Sequence, residues 1–157
     1  MPLSHRNCLA YFKLRTFFVY FDWIFSNYKD RYEIIYNRFR PEMGYDDTVD
    51  TMDLGEWDLV SSHGITTIQD LKKDGQNYNE LQLMLYANCD KFITVQGGTS
   101  ILASFFGGDN IIFARKGMEI KKRSYKNWYH LFGGSKIHHA LDNSALKAYC
   151  EKVLSLP

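Results

Sequence analysis

The residues best suited to chemistry lie in one short run, Gln96-Gly97-Gly98-Thr99-Ser100. Two adjacent glycines let a backbone turn sharply and come close to a bound group. The hydroxyl residues that follow open a helix whose first N–H groups have no intrahelical partner, so the run reads as an anion cradle. It is not a Walker loop, because no Gly-Lys-Ser/Thr follows, and it is not the GxGxxG dinucleotide fingerprint. Kinase-type and NAD chemistry are thereby disfavoured. Four cations, Arg38, Arg40, Arg115 and Lys116, follow predicted strands as this run does.

The remaining chemistry-bearing residues form no convincing constellation. His63, His130, His138 and His139 are read as structural or solvent-facing, and the adjacent pair points to opposite faces of a strand, so it cannot hold one metal jointly. Glu119 is the carboxylate nearest in sequence to the glycine run. No Ser/His/Asp or Cys/His order emerges, so no catalytic residue and no metal site is assigned. Cys8, Cys89 and Cys150 are odd in number, widely spaced and without a CxxC, which argues against a disulfide framework and for a reducing, cytoplasmic compartment. With 19 basic against 18 acidic residues, bulk charge gives no reason to invoke a nucleic acid or an anionic membrane, and any anion site must be local. Asp22 interrupts the apolar run Phe17-Phe18-Val19-Tyr20-Phe21, so neither a signal peptide nor a transmembrane segment is expected.

The elements that must position these residues alternate. Residues 92–95 form a short apolar, β-rich run of the kind buried on both faces of a parallel sheet. The glycine turn follows, then a short helix ended by Gly107-Gly108, then a strand over 110–114, which together make a βαβ unit. Earlier, an amphipathic helix runs from Phe17 to near Asp30 with Thr16 as cap, and residues 32–36 form a strand closed before Pro41. Residues 42–55 read as an acidic solvated loop, 56–62 as a short helix and 65–68 as a strand. Asn77 and Glu80 have the spacing of a capping box for the next helix. A helix from Ser124 through Trp128 and Leu131, a strand over 136–139 and a closing helix capped by Asn143 complete the chain. About five strands alternating with helices imply a doubly wound α/β domain, a mostly parallel Rossmann-like sheet with helices on both faces. The single domain spans 16–157. Residues 1–15 lack a clear period, with 8–14 as a frayed edge strand or no element. Ligands of such sheets bind beyond the carboxyl ends of the strands, the edge that the glycine run and all four cations share. Aromatics reach 16%, enough for a large aromatic core or for a surface that faces another domain, and the helix from Phe17 to Tyr28 is the expected contact.

The order in Phe92-Ile-Thr-Val-Gln-Gly-Gly-Thr-Ser-Ile-Leu-Ala-Ser-Phe-Phe-Gly-Gly-Asp-Asn-Ile-Ile-Phe is similar to the C-terminal half of GT-B fold glycosyltransferases. Asn79-Glu-Leu-Gln-Leu-Met-Leu-Tyr-Ala-Asn-Cys-Asp90 resembles the helix placed before that strand, and the likeness covers roughly residues 30–155. It implies that the Gly-Gly-Thr-Ser turn meets the diphosphate of a nucleotide sugar. Arg38, Arg40, Arg115 and Lys116 would then neutralise the leaving diphosphate without a metal. No resident cofactor is implied, the nucleoside diphosphate sugar being the donor substrate. The family's active enzymes also have an N-terminal acceptor-binding domain. Nothing in these residues supplies it, so a missing acceptor domain or a homo-oligomer is the implied partner. A non-catalytic Rossmann-like nucleotide-binding or protein-interaction module is the other function class this sequence fits.

Overall fold

The structure, a computed structural model, describes residues 8–10, 18–38 and 55–155. Its strands are β1 (Cys8–Ala10), β2 (Glu33–Tyr36), β3 (Thr66–Thr67), β4 (Lys91–Val95), β5 (Asp109–Phe113) and β6 (Lys136–Ala140). They form one sheet in the order β3-β2-β1-β4-β5-β6, and every neighbouring pair is parallel. The helices are α1 (Phe18–Tyr28), α2 (Glu56–Ser62), α3 (Tyr78–Ala87), α4 (Gly98–Ser104), the short α5 (Met118–Lys121), α6 (Ser124–Asn127) and α7 (Tyr129–Gly133), and α8 (Asn143–Leu154), with a 3-10 turn at Ile68–Leu71.

Strand alternation divides the core between two faces. Ile34 and Tyr36 of β2, Ile93 of β4, and Ile111 and Phe113 of β5 pack with α1, α2 and α8 through Phe21, Phe25, Val60, Leu146 and Cys150. Ile35 and Phe92 turn the other way onto α3 and α4, against Leu81, Leu85, Tyr86 and Ala103. Ile112 and Ala114 meet Tyr125 and Tyr129 of α6 and α7. Helices therefore cover both faces of a parallel sheet, as expected of a doubly wound α/β domain. β4 sits inside the sheet, with residues 92–95 buried.

Several expectations change. The segment read as an edge strand or no element holds β1, which pairs with β2 on one side and β4 on the other, so among the described residues the sheet has six strands and its centre reaches into residues 1–15. Three residues enclosed between two neighbours are specified by pairing on both sides and need show no alternation of their own. The helix expected from Ser124 through Leu131 is two helices, broken at Trp128, whose φ of −127° and ψ of −45° leave the helical region. Asp142, not Asn143, caps α8, its carboxylate accepting from the Ala145 N–H at 2.8 Å. Cys89 is disulfide-bonded, so the reading of the cysteines as thiols of a reducing compartment is not kept there, while Cys150 is a buried free thiol. Arg40, Thr16 and the acidic residues 42–54 lie outside the described residues.

Among the described residues the aromatics mostly fill the core, and the half-buried Tyr20 and Trp23 of α1 pack against it. Among the described residues no helix is long and apolar enough to cross a membrane.

Candidate functional site

Strand order reverses direction between β1 and β4, since β1 leads to β2 on one side and β4 to β5 on the other. Crossovers that leave in opposite directions open a crevice at the carboxyl ends of those two strands. Gln96-Gly97-Gly98 begins where β4 ends, which places the turn at that reversal.

The two glycines differ in what demands them. Gly97, at φ 135° and ψ −168°, occupies a region that only glycine visits readily, although a Cβ there would meet no atom within 4 Å. Gly98 has an ordinary backbone and is exposed, and a Cβ there would also meet nothing within 4 Å. From the inside, the Gly97 carbonyl accepts from the Ser100 N–H at 3.1 Å, the Ile101 N–H at 3.3 Å and the Ser100 hydroxyl at 2.8 Å. Gly98 and Thr99 are the first two helical residues, so their N–H groups precede the intrahelical bonds and stand at the open end of α4.

Behind the turn, polar groups tie α4 to the sheet. The Asn110 amide donates to the Ser100 carbonyl at 3.1 Å and to the Ser104 hydroxyl at 3.0 Å. Its oxygen accepts from the Thr94 hydroxyl at 2.9 Å. All four residues are fully buried, so the Ser100 hydroxyl works inside the fold and faces no ligand.

A second turn of the same kind lies alongside. Gly117, at φ 141° and ψ 177°, precedes α5 as Gly97 precedes α4. The Gln96 side chain crosses between the two turns and donates to the Glu119 carboxylate at 2.5 Å. A Cβ on Gly117 would run into the Gln96 amide nitrogen, so the bridge needs that glycine. Glu119, singled out in the sequence only for its proximity, therefore has a defined place. The signal that could have found it is the repeated pattern of strand, glycine and helix at Arg115-Lys116-Gly117-Met118. Glu119 also bears on two buried phenols. Burial, then Tyr129 and Glu119, raise the Tyr125 pKa above its usual value, and burial, then Glu119, raise that of Tyr129.

The cations are placed unequally. Arg115 and Lys116 are exposed, and both Gly97 and Arg115 lie two residues past the last registered pair, Val95 and Phe113. Arg38 follows β2 on the same edge but is only 3% exposed and forms an ion pair with Glu56 at the start of α2. Its carbonyl accepts from the Gln69 amide at 2.7 Å, so charge and main chain are both engaged within the fold. Asn37, beside it, accepts from the Tyr78 hydroxyl at 2.7 Å and donates to that of Tyr86 at 3.1 Å.

Three of the histidines have partners of their own, while His130 is exposed. The His138 ring nitrogen meets the Asp109 carboxylate at 2.7 Å, and His63 meets Asp22 at the same distance. His139 donates to the Ala114 carbonyl at 2.9 Å. What the edge offers is thus a pair of helix-end N–H groups beside two glycines where an added Cβ would meet no atom, two exposed cations from the adjacent strand end, and a carboxylate held by Gln96. No family model, curated protein or solved structure matches the chain.

Proposed function

We propose that this chain is the donor-binding domain of a GT-B type glycosyltransferase and holds a nucleoside diphosphate sugar with its diphosphate at the Gly97-Gly98 turn. The observation that carries this reading is the position of that turn, past β4 at the point where the strand order reverses, with unobstructed space at both glycines. Helix-end N–H groups favour negative charge there, and Arg115 and Lys116 supply the compensating cations. Arg38 contributes less, since Glu56 already balances it. The acceptor half of such an enzyme would come from another domain or another chain.

The test is titration calorimetry of the unmodified protein with UDP, GDP and ADP, without and then with magnesium. Binding of at least one nucleotide without magnesium is expected. Gly98→Ala makes the test specific, because the added methyl meets no protein atom and, on this reading, would stand where the diphosphate approaches. It should leave the fold intact and weaken binding by about tenfold or more, the scale set by losing one good contact. Arg115→Ala should cost about 1.5–3 kcal/mol of binding, the range for a hydrogen bond to a charged group. No affinity up to millimolar nucleotide, with the protein folded by circular dichroism, would leave a structural turn and favour the non-catalytic module.

A further inference from the structure

β6 ends the strand order, so among the described residues one of its sides has no partner strand. In a parallel ladder, alternate residues direct both main-chain groups to the same neighbour. The Lys136 N–H donates to the Gly108 carbonyl at 2.8 Å, and the Ala140 carbonyl accepts from the Ala114 N–H at 3.0 Å. Lys136, His138 and Ala140 therefore face β5, while Ile137 and His139 turn their N–H and C=O groups outward. These two residues line a cleft of about 340 Å³ whose walls are α5 and α6 on one side and Tyr149 of α8 on the other.

The cleft is positive. Arg123 and Lys126 line it and are exposed, whereas its one carboxylate, Glu119, is held by Gln96. Lys121, Lys122 and Lys136 are exposed on the same elements. The chain as a whole carries only +1, so the excess is local. Arg123 is also the one non-glycine among the described residues with a positive φ, 54°, a conformation its surroundings must hold in place. A small anion could use the two cations but would leave the strand edge unpaired. An extended chain with acidic side chains uses both.

We propose that this cleft docks an extended acidic peptide segment, which adds to the sheet beside β6, bonding the main chain of Ile137 and His139 while its carboxylates meet Arg123 and Lys126. The test uses the full chain and three labelled synthetic peptides, one alternating glutamate with valine, one with lysine in place of glutamate, and one with proline in place of valine, which cannot donate to a ladder. The glutamate–valine peptide should bind in a salt-sensitive way and slow amide exchange at Ile137 and His139. The other two peptides should bind at least about tenfold more weakly, and Lys126→Glu should weaken the first by a similar factor, as expected for a close charge pair at an interface. Ile137→Pro removes an outward N–H without touching the β5 ladder, and it should weaken the same peptide with the fold retained. Absence of binding, binding without protection at Ile137 and His139, or equal affinity of the proline peptide would overturn the proposal, the last marking a plain anion patch.

Discussion

Gly97 and Gly98 are neighbours whose replacement should have opposite consequences. Gly97→Ala puts a Cβ into a glycine-only conformation at φ 135° and should cost about 1–3 kcal/mol of stability, read from the urea midpoint. Gly98→Ala adds a methyl at the first helical position in open space, so the midpoint should hold or rise by up to about 1 kcal/mol as unfolded-state entropy falls. The Arg38–Glu56 pair has a different asymmetry. Glu56→Ala leaves a buried guanidinium without its carboxylate and should cost about 3–5 kcal/mol, while replacing both by apolar residues of similar volume should cost much less. Buried acidic protons set the alkaline limit. Burial, then Glu151, push the Cys150 thiol from its usual 9.0 up to about 12. Between those values the folded state keeps a proton that the unfolded state releases, so this stability is complete below pH 9.0 and is lost as pH rises toward about 12. Tyr86 and Tyr125, raised chiefly by burial from 10.0, act in the same direction. Urea midpoints should therefore hold from neutral pH to about pH 9 and fall from there through about pH 11, and a flat profile across that range would contradict the burial of these groups.

At the scale of elements, the cap of α8 offers a clean comparison. Asp142→Ala removes the side-chain bond to the Ala145 N–H and should cost about 1 kcal/mol, whereas Asn143→Ala, one residue inside the helix, should cost little. Thermal denaturation of the two variants separates the assignments. Both residues are good caps by type, and only their backbone geometry chooses between them, which is why the sequence pointed to the wrong one. The unit from β4 through α4 to β5 was legible because its signals are local, a buried apolar run, glycines at both ends of the helix and a second apolar run. The Asn77 cap was legible for the same reason, its side chain accepting from the Glu80 N–H at 2.9 Å. β1 was misplaced because its identity lies in the strands on either side of it. Arg38 looked like a free cation because Glu56 reaches it from a separate element, and Gln96 was not linked to Glu119 because their bond crosses two turns.

Across the whole molecule, cohesion of the sheet is uneven where the order reverses. Among the described residues, two registered pairs join β1 to β4, whereas five join β4 to β5 and five join β5 to β6. The junction is spanned by side chains instead. One apolar cluster runs from Phe21 and Ile34 to Ile111 and Leu146, and the Tyr32 hydroxyl donates to the Leu154 carbonyl at 2.9 Å, tying the start of β2 to the end of α8. Local opening follows the density of such contacts, so exchange should be graded along the sheet. Ile93, Ile111 and Ile112, essentially inaccessible in the centre, should exchange only through global unfolding, with free energies in the usual range of about 5–15 kcal/mol. Thr66 and Thr67, a two-residue edge strand with half-buried side chains, should open far more readily. Tyr32→Phe removes the bond across the junction and should cost about 1 kcal/mol. It should speed exchange in β2 more than in β5, because β5 keeps a full ladder on both sides. Native-state hydrogen exchange resolved by NMR reads both strands at once. Equal acceleration throughout would mean that the sheet opens as one unit and that the few pairs at the reversal do not divide it.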